Sequence, residues 1–189
     1  MTLRPAEVLV IGYGNPLRGD DGVGQQVAEA LWGQRSSAPE LAGATVQWAH
    51  QLAPEMALDV SRSTLVVFID AAADGRPAGT VSVRRLGDPT SWKAAEGPVP
   101  AGCWQEMSPE AVLALASALY GWCPPAFLVS VSTQSTAVGF GLSRAARSAV
   151  PVAAAAARLR ISQERGRHLP SAAAFTGTGA PTAGGLAGA

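Results

Sequence analysis

The sequence contains few histidines, few cysteines and little charge. Only two of its 189 residues are histidines and two are cysteines, Cys103 and Cys123, which is too few for a disulfide framework, so we expect reduced thiols. Charged residues make up 15% of the chain, the net charge is zero and no long basic run is present, so a nucleic-acid partner is not expected. No apolar stretch is long enough to span a bilayer, and no N-terminal signal pattern is present, so we expect a soluble, cytoplasmic protein without a membrane partner.

Apolar residues account for 48% of the chain, which is long enough to bury one sizeable core. Segments with strand-like and helix-like apolar patterns alternate along it. Strands are predicted at 7–12, 44–48, 64–70, 79–84 and 126–131, and helices at 22–33, 54–60, 108–121 and 142–160. This alternation predicts an α/β domain with a mostly parallel sheet that is covered by helices on both faces.

The C-terminal part of the chain has a different composition. Ser143 is the predicted N-cap of the last helix, and Pro151 predicts a kink or a break within that helix. From residue 162 onward Gly, Ala, Thr, Pro and Ser predominate. We therefore assign the folded domain to 1–161 and predict that 162–189 is a disordered tail.

A glycine-rich turn, GYGNPLRGDDGVG, follows the first predicted strand at positions 12–24. It differs from a dinucleotide-binding turn because Leu17 occupies the place of the third glycine, and no Gly-Lys-Ser/Thr of a P-loop follows. The adjacent carboxylates of Asp20 and Asp21 would also repel a pyrophosphate, so we expect no nucleotide. One of the two aspartates has an alternative role as the N-cap of the first helix.

A third acidic residue, Asp70, ends the strand predicted at 64–70. If the strands are parallel, Asp20, Asp21 and Asp70 lie at the same edge of the sheet, where ligands bind in folds of this class. Paired carboxylates bind a metal through hard oxygen ligands, or act as an acid/base pair. The alternative for Asp70 is a hydrogen bond to a neighbouring loop amide.

The glycine-rich turn also resembles the signature of the hydrogenase maturation proteases, the endopeptidases that trim the C-terminus of nickel–iron hydrogenase large subunits. Further motifs resemble this family and come in the right order. They are HQLAPE at 50–55, VVFIDAA at 66–72, SPEAVLALASALYG at 108–121 and GFGLS at 139–143. The resemblance covers residues 7 to 161.

The resemblance implies a single three-layer domain with a twisted sheet of about five strands. It also implies a nickel site formed by Asp21, Asp70 and a histidine. Asn15, Arg18 and Asp20 are candidates for binding the substrate, and the alternative for the charged residues of this set is a solvated loop charge. The implied partner is the large-subunit precursor of a hydrogenase that already holds its metal centre. Nickel would therefore be supplied by the substrate, or be weakly bound, and a monomer fits the family.

This sequence departs from the family at the third metal ligand. Gln105 occupies the place of the histidine, and a glutamine oxygen is a weaker nickel ligand than an imidazole. Glu106 is one possible substitute and Cys103 is another. His50 would reach the site if the second strand lies beside the first; its alternative is a partly buried histidine with one hydrogen bond.

The function implied by the resemblance is removal of a C-terminal peptide from the nickel-loaded precursor. A metal at Asp21 and Asp70 would polarise the scissile carbonyl or lower the pKa of a water, or an aspartate would act directly as a general base. No Gly-x-Ser-x-Gly or His-Glu-x-x-His motif supports a serine or zincin mechanism. Because Gln105 replaces the histidine, the alternative is a relative that binds the precursor or a metal without cleaving.

Overall fold

The computed structural model describes residues 8–87, 107–133 and 136–168. In these ranges the strands are β1 Val8–Tyr13, β2 Thr45–Ala49, β3 Leu65–Ala72, β4 Val81–Leu86 and β5 Ala126–Ser132. The α-helices are α1 Val23–Gln34, α2 Met56–Arg62, α3 Pro109–Tyr120 and α4 Arg144–His168. Every predicted element is present, and apart from the C-terminal end of α4 each boundary lies within two residues of its prediction.

The five strands form one sheet in the order β2-β1-β3-β5-β4. The first four strands of that order are parallel to their neighbours, and β4 pairs with β5 in the antiparallel direction. The prediction of a mostly parallel sheet is therefore confirmed, and β4 lies at an edge of the sheet.

Helices cover both faces of this sheet. Alternate side chains of a strand point to opposite faces, and β3 illustrates the result. Val67 and Ile69 are buried in a cluster with residues of α1 and α4, whereas Val66 and Phe68 are buried in a cluster with residues of α2 and α3. The predicted three-layer α/β arrangement is thus confirmed, with α1 and α4 in one outer layer and α2 and α3 in the other.

The last helix, α4, differs from its prediction in two respects. It continues through Pro151, so the predicted break does not occur, and it extends to His168. A stripe of buried residues with a spacing of three or four runs along the helix on both sides of the proline: Ala146, Ala149, Ala153, Ala157, Ile161 and Glu164. This packing holds the two halves of the helix together. The domain boundary predicted at residue 161 therefore lies inside α4, and the part of the predicted tail from residue 169 onward lies outside the described residues.

No helix in the described ranges is both long enough and apolar enough to cross a membrane. Although α4 has 25 residues, it carries several arginines among its alanines.

The start of α1 packs directly on the ends of β1 and β3. A Cβ atom at Gly24 would lie 2.2 Å from the Tyr13 carbonyl oxygen and 2.5 Å from the Ile69 carbonyl oxygen. Only glycine allows this close approach. The chain leaves β1 for β2 on one side and returns to β3 on the other, so the gap between β1 and β3 is where the strand order reverses, the usual ligand position in such sheets.

Candidate active site

Asp21 lies over the C-terminal end of β1, in a 3-10 helix, Gly19–Gly22, that leads into α1. The backbone N–H of Asn15 donates to Asp21 Oδ2 at 2.7 Å, and the N–H of Asp21 donates to the Arg18 carbonyl oxygen at 3.2 Å. Gly14 has a φ of +127°, and a Cβ there would lie 1.9 Å from the Asp21 carbonyl oxygen. The turn is therefore closed tightly around Asp21, and its carboxylate is held by a backbone donor.

Asp70 lies near the C-terminal end of the neighbouring strand β3, with its carboxylate half-buried. The carboxylate accepts a hydrogen bond from the Ala71 N–H at 2.7 Å, and the Tyr13 hydroxyl lies beside it. Burial raises the pKa of Asp70, the Tyr13 hydroxyl and the Ala71 N–H lower it, and the charge of Asp21 raises it, with a net change from 3.8 to about 6. The structure thus brings the two acids within electrostatic range of each other, as parallel strands predicted. The alternative hydrogen bond of Asp70 to a neighbouring amide is also present.

Two carboxylates held close together favour a cation between them, because the cation relieves their repulsion. Asp21 and Asp70 supply hard oxygen ligands of the kind that divalent cations accept. Within the described residues, however, no group of three or more His, Cys, Asp or Glu side chains is placed to hold a metal ion. Asp21 and Asp70 therefore fit a metal ion as two of its ligands, and further ligands have to come from other groups. Gln105, Glu106 and Cys103 lie outside the described residues, so their roles stay predictions.

His50 does not complete the pair. It follows β2, which lies beside β1 as its proposed role required, and the Gly14 N–H donates to the adjacent Ala49 carbonyl oxygen at 3.1 Å. The histidine is exposed to solvent, so the expectation of a partly buried side chain was wrong. His50, Asp21 and Asp70 are all in the described part of the chain and form no metal-binding group there, so a ligand role for His50 is not supported.

Asp20 is buried and has a structural role. It is 5% exposed, and Ser143 donates from its backbone N–H to Asp20 Oδ1 at 2.6 Å and from its hydroxyl to Oδ2 at 2.8 Å. Ser143 Oγ in turn accepts from the Ala146 N–H at 3.2 Å, which confirms the predicted N-cap of α4. Because both oxygens of Asp20 are used within the fold, its predicted contact with the substrate is not supported.

Neither acid caps the first helix. The N-cap of α1 is Gly22, which has no side-chain capping bond. The alternative role for Asp20 or Asp21 is therefore wrong, because the carboxylate of Asp20 is directed at Ser143 and that of Asp21 at the backbone of Asn15.

Asn15 and Arg18, the other predicted substrate-binding residues, shape the turn. Asn15 Oδ1 accepts from the Leu17 N–H at 2.9 Å, and Arg18 Nε donates to the Thr136 carbonyl oxygen at 3.2 Å. The backbone of the turn is also joined to the segment before α4, since the Gly139 N–H donates to the Leu17 carbonyl oxygen at 2.9 Å. A contact of either residue with a substrate stays a prediction.

Tyr13 is the residue at this site that sequence reasoning missed. It is the last residue of β1, and its hydroxyl lies beside the Asp70 carboxylate. The alternation of side chains along β1 could have indicated the face on which Tyr13 lies. Leu9 and Ile11 point to the same face as Tyr13 and belong to the cluster formed with α2 and α3. Recognising its partner required the register of β1 on β3.

No protein-family model matches the chain, and no curated protein matches it significantly. Solved structures do match. The hydrogenase-maturating endopeptidase HybD from E. coli is 22% identical over 84% of this chain and 93% of that chain, with a TM-score of 0.60. The [NiFe] hydrogenase maturation protease HycI from Thermococcus kodakarensis is 19% identical over 83% of this chain and 93% of that chain, also with a TM-score of 0.60.

A third solved structure, the hydrogenase 2 maturation peptidase from a Thaumarchaeota archaeon, is 24% identical over 85% of this chain and 98% of that chain, with a TM-score of 0.55. These similarities span nearly the whole length of each solved protein. The chain therefore has the three-layer α/β fold of the hydrogenase maturation proteases, in agreement with the resemblance of its motifs.

Proposed function

We propose that this chain is an endopeptidase that removes a C-terminal peptide from the nickel-loaded precursor of a nickel–iron hydrogenase large subunit, with Asp21 and Asp70 as catalytic residues. The observation that carries the proposal is the pairing of these two carboxylates at the ends of β1 and β3, in a fold that hydrogenase maturation proteases also have. The motifs of the sequence support the same two residues.

The chemical state of Asp70 suits a general base. With a pKa of about 6, raised by burial and then by the charge of Asp21, its carboxylate is ionised at neutral pH and is more basic than an ordinary one. General bases act best when their pKa lies near the working pH. Acting directly as a general base, Asp70 accepts the proton of the attacking water, and Asp21 is held beside it by the Asn15 N–H.

The nickel of the precursor enters this proposal as part of the substrate. In a second route, Asp21 and Asp70 act as oxygen ligands of this nickel rather than as a base, and the nickel positions the scissile bond next to them. When bound there, the cation supplies Lewis-acid polarisation of the scissile carbonyl. Further ligands come from the precursor, or from Gln105 and Glu106. We also propose that the protein works as a cytoplasmic monomer and uses no nucleotide.

A second candidate function is binding of the precursor, or of a metal, without cleavage. It is favoured by Gln105, which stands where the family's histidine would be. A neutral amide oxygen is a poorer nickel ligand than an imidazole, so loss of the histidine weakens a site that needs all three ligands.

The test is incubation of the purified protein with the nickel-loaded precursor encoded in the same genome, followed by intact-mass spectrometry. We expect the precursor to lose a short C-terminal peptide. Asp21→Ala and Asp70→Ala should each lower the cleavage rate at least about 100-fold, the usual contribution of a general acid or base. Asp59→Ala, an exposed aspartate of α2, is the matched control and should cleave like the wild type.

Two outcomes would decide against this proposal. Undiminished cleavage by both the Asp21 and the Asp70 variants would show that these residues are not the catalytic pair. If the wild type leaves the precursor intact but forms a stable complex with it on gel filtration, the binding function is supported instead.

A further inference from the structure

The side chains of Tyr13 and Asp70 lie on the same face of the sheet in neighbouring strands. In the parallel pairing of β1 with β3, Ile11 is opposite Phe68 and Gly12 is opposite Ile69, so Tyr13 comes next, opposite Asp70. Ile11 and Phe68 both belong to the cluster under α2 and α3. Since side chains two residues apart in a strand share a face, Tyr13 and Asp70 also point toward these helices.

The Tyr13 hydroxyl has two carboxylates in its surroundings, those of Asp70 and Glu110. Glu110 Oε1 already accepts a hydrogen bond from the Arg84 guanidinium at 2.7 Å. Asp70 has no cationic partner among the described ion pairs, and its other donor is the adjacent Ala71 N–H. We therefore take Asp70 as the acceptor for the Tyr13 hydroxyl, because the carboxylate of Glu110 is already bonded to Arg84.

We infer that Tyr13 is a positioning residue, whose hydroxyl donates a hydrogen bond to the Asp70 carboxylate and fixes its orientation near Asp21. This inference rests on the proposed function of the same site. The Tyr13 ring packs against the apolar cluster under α2 and α3, so the hydroxyl is carried by a rigid support. The Ala71 N–H donates to Oδ1 of Asp70, and a hydrogen bond from the Tyr13 hydroxyl would restrain the carboxylate at a second point.

A hydroxyl is suited to this role because it can donate one hydrogen bond to a carboxylate oxygen. Partners that orient metal-binding or catalytic side chains in this way typically contribute about 10- to 100-fold in activity.

The experiment compares Tyr13→Phe, which keeps the ring and removes only the hydroxyl, with Tyr120→Phe and Asp70→Ala. Tyr120 is the only other tyrosine of the sequence, lies 47% exposed at the end of α3, and makes the matched control. For each variant kcat and KM are measured on the nickel-loaded precursor, together with the carboxyl carbon resonance of Asp70 by NMR in the metal-free protein. Tyr13→Phe should lower kcat about 10-fold or more with KM within about twofold of the wild type, and should shift the Asp70 resonance.

Each outcome bears on one of the two proposals. If Asp70→Ala is inactive while Tyr13→Phe matches Tyr120→Phe in kcat, the positioning role is wrong and the proposed function stands. If Asp70→Ala cleaves like the wild type, or the wild type does not cleave, the proposed function is wrong, and the Asp70 resonance alone then tests the contact. An unshifted Asp70 resonance in Tyr13→Phe overturns the inference in every case.

Discussion

Ser143 donates to both oxygens of Asp20, although 123 positions separate the two residues in the sequence. The first donor is the backbone N–H of the residue that caps α4, and the second is its hydroxyl. This pair of bonds joins the turn that carries Asp21 to the start of the last helix.

Removing this carboxylate should destabilise the fold. Asp20→Ala removes a buried carboxylate that accepts two hydrogen bonds from Ser143, and hydrogen bonds to a charged group contribute about 1.5–3 kcal/mol, so we expect a loss of this size in the free energy of unfolding. Urea denaturation followed by circular dichroism measures it. Asp59→Ala, an exposed aspartate, is the control and should change stability by less than about 0.5 kcal/mol. Equal effects of the two substitutions would contradict a structural role for Asp20.

Replacement of Asp70 should make the metal-free protein more stable and less active. The pKa of Asp70 is raised from 3.8 to about 6, so the folded state binds this proton more tightly than the unfolded state. Its contribution to stability is fully present below pH 3.8 and is lost as the pH rises to about 6. Asp70→Asn removes that loss, and at pH 7 we expect it to unfold with a free energy up to about 3 kcal/mol higher than the wild type.

The measurement is a set of urea titrations between pH 4 and pH 7.5 with a chelator present, because a bound cation would favour the charged form. The informative quantity is the difference between Asp70→Asn and the wild type, since other groups titrate in both proteins. If the difference in the free energy of unfolding does not grow between pH 4 and pH 6, the charged form of Asp70 does not destabilise the folded protein.

The close approach of α1 to the sheet gives a matched pair of glycine substitutions within one helix. A Cβ at Gly24 would meet two carbonyl oxygens within 2.5 Å, so Gly24→Ala should push α1 off the ends of β1 and β3 and cost about 2–4 kcal/mol. Gly33 has nothing within 4 Å, and Gly33→Ala should stabilise the protein by about 0.5–1 kcal/mol through helix propensity. Thermal unfolding measures both, and effects of the same sign would contradict the packing described here.

Because α4 continues through Pro151, we expect this proline to lower the free energy of unfolding. Pro151 has no backbone N–H to donate to the carbonyl of Arg147, and a proline inside a helix costs about 3 kcal/mol relative to alanine. Pro151→Ala should therefore raise the free energy of unfolding by about 1–3 kcal/mol. The neighbouring exposed residue provides the control, since Val152→Ala should gain only about 0.5 kcal/mol. A destabilised Pro151→Ala variant would mean that α4 depends on the proline for its packing.

Much of the fold followed from patterns that are local in the sequence. The apolar runs of β1 and β3 and the Ser108-Pro109 start of α3 predicted elements that the structure confirms within two residues. The common edge for Asp21 and Asp70 also followed, because parallel strands place their carboxyl ends together. The end of α4 was predicted too early because the prediction relied on the change in composition after residue 161. The stripe of buried residues continues to Glu164 and stabilises the helix beyond that point.

The site was less predictable because its contacts depend on residues far apart in the sequence. The partner of Asp20 is Ser143, and no spacing rule indicates that a carboxylate in the first turn will bond the cap of the last helix. The role of Tyr13 depends on the register of β1 against β3, which alternation within a single strand does not determine. His50 was placed beside the site correctly at the level of strands, but its side chain is exposed.

The bond between Asp20 and Ser143 also affects the order in which the molecule is completed. Chains are synthesised from the N-terminus, and α4 is the last helix that the structure describes. On the ribosome, the acidic turn therefore emerges early but lacks its two bonds to Ser143 until the segment around residue 143 has also emerged. The nascent protein consequently completes the candidate site late in translation, after the residues of all five strands have been synthesised.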